Sequence, residues 1–156
     1  MKDVFLFVLV GFNSLFKTLK VGLVGYSSDF KLIGGTTIVK LFLTNGRILK
    51  IYSEMHDLGN WNEIGSLIFE EVEGESHSKM IPLGRGWKDI ASAEKLVFAR
   101  EGFMAESGIL LRSQAGEELL IVASANVDTL AFRAPRSLDA FLPENDLSSY
   151  QHVPLY

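Results

Sequence analysis

The run FEEVEGESH, residues 69–77, comes nearest in this chain to a reactive cluster. If it stayed extended, Glu71, Glu73, Glu75 and His77 would share one side, since alternate strand residues face the same way. Carboxylates with an imidazole can hold Mg²⁺, Mn²⁺ or Zn²⁺. The spacing argues against it: same-side neighbours on a strand lie ~6.5–7 Å apart, wide for two ligands of one ion. Gly74 also invites a bend. A charged strand end running into a solvated loop is the expected structure.

A second acid–base candidate is His56-Asp57, with Glu54 and Glu63 nearby in sequence. A catalytic histidine needs a carboxylate beside its ring, which a direct chain neighbour rarely provides. Ser76 and His77 fail as a nucleophile and base for a similar reason, because adjacent residues of an extended chain point to opposite faces. No G-x-S-x-G elbow surrounds them. Gly84-Arg85-Gly86 and Gly34-Gly35 lack the spacing of a phosphate-binding loop and are expected to be turns. The chemistry-bearing residues therefore point to no metal, cofactor or catalytic group.

Recognition remains. Asn60-Trp61-Asn62 places an indole between two amides in an expected inter-strand loop, and Trp87 follows the Gly-Arg-Gly turn. Tryptophan is enriched at interaction hot spots, and loops on a rigid β scaffold commonly carry binding. Asn60, Trp61, Asn62 and Trp87 are therefore the candidate partner-binding residues. The competing expectation is that each indole folds inward and caps the core.

The elements that would position these groups read as strands. TIVKLFLTNGRILKIYS, residues 37–53, is a hairpin about Asn45-Gly46, expected as a two-residue type I′ turn. That register sets Leu43 opposite Ile48 and Leu41 opposite Lys50. It leaves apolar residues on both faces, which implies a strand pair covered on both sides near its middle. A second hairpin is expected over Glu106–Ser124, with Gly116 left-handed in a three-to-five-residue connection. Further strands are expected at Phe5–Val10, Val21–Tyr26, Ser66–Val72, Lys95–Arg100 and Thr129–Ala134, the last ended by Pro135. Asn13–Leu19 and Trp87–Glu94 are helix candidates. No repeat of fixed period is visible. In the tail, residues 136–156, Phe141, Leu142, Leu147 and Tyr150 are expected to pin an irregular segment across the body.

These elements predict a mainly β fold, an antiparallel β-sandwich or partly open β-barrel with one or two short helices, in a single domain spanning residues 1–156. The bulk numbers agree. A chain of 156 residues that is 47% hydrophobic and 22% charged can bury a substantial core. Its net charge of −4 and the lack of a basic cluster argue against nucleic acid. The absence of cysteine excludes a disulfide framework and a Cys nucleophile, and fits a cytoplasmic setting. The apolar run Val4–Phe12 has Asp3 before it and no small-x-small site after it, so it reads as a structural element rather than a targeting segment. It is too short to span a membrane.

Three functions follow in order of support. The first is a non-catalytic protein-binding module, of interaction or inhibitor type, with self-association as one form. The second is a small-ligand-binding β protein with an apolar pocket. The third is a metal- or carboxylate-dependent hydrolase built on the acidic run or His56. The balance leans away from an enzyme.

Overall fold

The computed structural model describes residues 5–7, 21–59, 62–73, 79–100, 102–126, 128–139 and 141–155. Sheet I contains β2 (Leu23–Ser28), β3 (Val39–Leu43), β4 (Ile48–Gly59), β5 (Asn62–Val72) and β6 (Ile81–Pro82), in the order β5-β4-β3-β2-β6. Sheet II contains β7 (Ile90–Arg100), β8 (Phe103–Ser113), β9 (Glu118–Ala123), β10 (Leu130–Arg133) and β11 (Gln151–Pro154), in the order β10-β9-β8-β7-β11. All ten of these strands pair antiparallel, while β1 (Phe5–Phe7) lies parallel to β8 at Phe103–Ala105. The two sheets pack face to face as a β-sandwich, not a closed barrel.

The two strand orders are the same order. In each sheet four strands run as a meander, and a fifth returns to pair with the first. The chain thus repeats one connectivity, although no fixed sequence period announces it. Strand lengths explain why. The long hairpin of sheet I is β4–β5, whereas that of sheet II is β7–β8. Equivalent positions therefore fall at different spacings, and a periodic pattern cannot survive.

Both halves also use one turn. Leu43 N–H donates to Arg47 O at 2.9 Å and Gly46 N–H to Leu43 O at 3.1 Å, with Gly46 at φ 85°. Ser113, Glu117 and Gly116 reproduce this, at 2.9 Å, 3.1 Å and φ 83°. Each is a three-residue connection whose left-handed position only glycine occupies without strain. This confirms the reading of Gly116 and corrects that of Asn45-Gly46. The loop is one residue longer than a type I′ turn, so Phe42 faces Ile48, Leu41 faces Leu49 and Val39 faces Ile51. A one-residue slip moves every side chain to the opposite face. With the true register, Val39, Leu41, Leu43, Leu49 and Ile51 all point into the main core. Phe42 and Ile48, on the outer face, are buried too. The hairpin is covered on both sides near its turn, and outward it opens to Lys40, Lys50 and Tyr52.

Between the sheets, those residues meet Ile109, Leu111, Leu119, Ile121 and Phe132, with Trp87 among them. Each such aliphatic or aromatic side chain contributes roughly 1.5–3 kcal/mol on burial. Tyr26 donates its hydroxyl to Pro135 O at 2.5 Å and sets its ring edge-on to Phe132, 5.2 Å between centroids, tying β2 to the end of β10. Near the tip of the long β4–β5 hairpin the two sheets approach closely. Gly65 leaves no side chain there: a Cβ would stand 2.5 Å from that of Ala123. Ser107 Oγ donates to Gly65 O at 2.7 Å, and Gly65 N–H donates to Glu144 Oε2 at 2.9 Å.

Sheet II is covered on its outer face as well. Leu96, Leu110, Leu120 and Val122 form a second core with Phe141, Leu147 and Tyr150 of the tail. This explains the unbroken apolar runs GILL and LLIVA, since a strand buried on both faces has no polar side to alternate with. Three of the four expected anchors hold the tail, and Leu142 is mainly exposed. The tail is less irregular than expected, because Gln151–Pro154 forms β11 against β7. The helix expected at Trp87–Glu94 is a correction. Arg85–Trp87 makes one 3₁₀ turn and β7 begins at Ile90, where an eleven-residue strand paired with β8 outweighs a weak local helical pattern. Asn13–Leu19 lies outside the described residues, as does the second half of Phe5–Val10.

Candidate functional site

The connection between β2 and β3, residues 29–38, departs most from what packing alone would produce. Asp29 anchors its base: Oδ1 accepts the N–H groups of Thr37 at 2.8 Å and Ile38 at 2.9 Å, and Oδ2 accepts the Thr37 hydroxyl. Burial pushes the Asp29 carboxyl up, but these hydrogen bonds outweigh it and hold the group below its ordinary value. Further out, Lys31 and Gly35 exchange two backbone hydrogen bonds, each 3.1 Å, and close a tight turn. At the root, Thr36 O accepts Leu130 N–H at 2.8 Å and the Thr36 hydroxyl donates to Asp139.

On this braced hairpin sit Leu32 and Ile33, 96% and 91% exposed. The Thr36–Asp139 bond brings the neighbouring loop to the same end, where Leu138 is 88% exposed. Scattered exposed aliphatics are ordinary, but adjacent ones raised on a hydrogen-bonded turn are not. Leaving Leu32 and Ile33 in water forgoes roughly 1.5–3 kcal/mol apiece, which becomes available when a surface covers them.

Beneath this tip, sheet I borders two adjoining hollows that share Ile38. One, of about 210 Å³, is lined by Ser27, Ser28, Asp29, Ile38, Lys40 and Lys79. The other, of about 310 Å³, is lined by Thr37, Ile38, Lys50, Tyr52, Ser53 and Asp128. Both lie open on the surface rather than enclosed between the sheets, unlike the apolar pocket expected of a small-ligand-binding β protein. Tyr52 donates to Glu70 Oε1 at 2.5 Å, and this bond to a carboxylate, with burial and the charges of Glu70 and Glu54, raises the phenol above its usual value.

The residues first considered for partner binding are distributed differently. Asn60 and Trp61 lie outside the described residues. Asn62 opens β5 opposite Gly59, at the tip of the long hairpin. Trp87 is a correction: it is fully buried in the main core and presents nothing to a partner. Its turn delivers the indole inward because Gly86 packs on Ala115 and Gln114 N–H donates to Gly86 O at 2.9 Å.

The acidic run does not converge in its described part. Glu71 faces Arg47 at 3.4 Å and Glu73 is exposed, while Glu75 and His77 lie outside the described residues. Among the described residues, no three His, Asp or Glu side chains are placed to share a metal ion. His56 does meet a hydroxyl that sequence spacing concealed. Its Nε2 lies 2.7 Å from Ser66 Oγ, diagonally across β4 and β5. Ser66 is 1% exposed, so its hydroxyl is withheld from any substrate, and the pair serves the sheet.

The fold and this surface define a two-sheet β-sandwich bearing an apolar-tipped hairpin. No family model, curated protein or solved structure matches the chain. No helix among the described residues is long and apolar enough to cross a membrane.

Proposed function

We propose that this protein is a non-catalytic binding module that docks onto a protein partner through the Leu32–Ile33 turn. The observation that carries this reading is the near-complete exposure of two adjacent aliphatic side chains on a turn fixed by paired backbone hydrogen bonds. A convex apolar tip fits a concave apolar cleft, and its fixed backbone lowers the ordering cost of association. Leu138 widens the contact on one side, and Lys31 supplies a charged rim. The test is affinity capture with mass spectrometry, run in parallel on the wild type and a Leu32→Ser/Ile33→Ser variant. A partner retained by the first and lost by the second supports the reading. A partner retained equally by both removes the tip from the interface.

A further inference from the structure

A stretch of open sheet edge carries a separate inference, drawn from the backbone rather than from the apolar tip. Gly65 turns both its N–H and its C=O away from β4, to Glu144 and to the Ser107 hydroxyl. Its partner in the ladder is Met55. A pair of this kind exchanges no hydrogen bonds, so Met55 aims its own N–H and C=O at the opposite edge of β4. The other end of the strand gives the same parity. Arg47 O accepts Leu43 N–H, so alternate residues from Arg47 onward face β3.

Leu49 and Ile51 are met on that edge by Leu41 and Val39. Ser53, Met55 and Asp57 are not, because the chain before β3 crosses to the other sheet, where Thr36 O accepts Leu130 N–H. Among the described residues, no backbone group pairs with these three on that edge.

We propose that an extended, basic peptide segment of a partner protein completes this edge as an added strand. Unpaired strand N–H and C=O groups are a template for another strand, and the side chains flanking them select its sequence. Here those side chains are mainly acidic. Glu54 and Asp57 on the edge strand, Glu63 directly opposite Asp57, and Asp128 are all exposed, against Lys50 and His56. A lysine or arginine of the added strand relieves the repulsion between the opposed Asp57 and Glu63. The larger hollow, about 310 Å³, opens where β3 leaves β4, between Ile38, Tyr52, Ser53 and Asp128, and gives one end of the added strand room for a side chain. A second copy of β4 suits the edge less well. Centred on Met55, it would set its Gly59 opposite Ile51, a place that Val39 already holds.

The experiment selects a displayed library of random heptapeptides on the immobilised protein, then titrates a selected peptide while backbone amide shifts and hydrogen exchange are followed. Basic sequences are expected, with the Met55 and Asp57 amides shifted and protected on binding. Met55→Pro removes one outward N–H and leaves the β5 ladder intact, so affinity should fall about three- to tenfold. Glu54→Lys should weaken the same peptide, and more so at low salt. The Leu32→Ser/Ile33→Ser variant should keep its peptide affinity, which separates this edge from the docking reading. The proposal is overturned if no peptide is selected, if the selected peptides lack basic residues, or if binding leaves Met55 and Asp57 unmoved. Protection of those amides in a dimer before any peptide is added assigns the edge to a second copy and overturns it as well.

Discussion

Sheets I and II follow the same strand order and turn their central hairpins with the same glycine, yet their outer faces differ. Sheet II lies beneath the tail, where Tyr150 packs edge-on to Phe98 with ring centroids 6.0 Å apart, and Phe141 and Leu147 complete the cover. Sheet I presents Lys40, Lys50 and Tyr52 beside two hollows. The first connections differ as well. Between β7 and β8 only residues 101–102 intervene, whereas residues 29–38 join β2 to β3 and lift Leu32 and Ile33 into solvent. One half covers much of its second face with the tail, and the other leaves charged and aromatic side chains on that face. A shared connectivity therefore locates nothing by itself; the departures from it do.

The contrast breaks most visibly on the outer faces. Leu120→Ala removes a side chain from beneath the tail and should cost about 2–5 kcal/mol in urea unfolding. Lys50→Ala, on the outer face of sheet I, should stay within about 0.5 kcal/mol. Equal losses would mean that the two faces are covered alike.

Gly65→Ala tests the close approach of the two sheets at Ala123. Its methyl would stand 2.5 Å from Ala123 Cβ and 3.1 Å from the Glu144 carboxylate. Overpacking of this kind should cost about 1–3 kcal/mol, read from the same unfolding curves.

Two carboxyls give opposite pH signatures. Burial raises Glu144 above its ordinary 4.5, against the Gly65 N–H and the Arg100 charge, while Glu63 adds to the rise. A raised carboxyl favours the fold below its unfolded value, and that advantage fades as pH rises through the folded value. Glu144→Gln should therefore gain stability relative to wild type on going from acid to neutral pH. Glu94 is held below 4.5 by the His152 hydrogen bond first; burial opposes this, and the hydrogen bond and charge of Arg112 add to the lowering. Its contribution is present above the ordinary value and is lost as pH falls through the lowered one. Glu94→Gln should lose stability at neutral pH, and the loss should vanish in acid. Unfolding measured across that range checks both, and a matching pH trend in the two variants would contradict them.

The smallest effect on stability is expected at the tip. Leu32→Ser with Ile33→Ser should change unfolding by no more than about 0.5 kcal/mol, because neither side chain is packed. A larger loss would mean that the turn belongs to the core.

Much of this architecture was legible in the residues. Strand and turn chemistry is local, so Gly116 with its flanking apolar runs announced its hairpin, and Phe141, Leu147 and Tyr150 announced the cover. Asn45-Gly46 misled because the same dipeptide serves turns of two or three residues, and only the meeting of Phe42 with Ile48 decides between them. Trp87 was ambiguous for a related reason: an indole suits an interface or a core, and long-range packing made the choice. The apolar tip went unnoticed because Lys-Leu-Ile-Gly-Gly reads as a strand end running into a turn. Its exposure depends on Thr36, Leu130 and Asp139, which meet only in the fold.

Photo-crosslinking bears most directly on the docking reading. A photoreactive residue replaces Ile33 in one protein and Leu142 in another, the second being an exposed aliphatic in the tail over sheet II, 58% exposed. The account predicts that the probe at position 33 captures a discrete protein partner and that the probe at position 142 does not. Capture from position 142 alone, or from neither position in the presence of a partner that still binds, would contradict it.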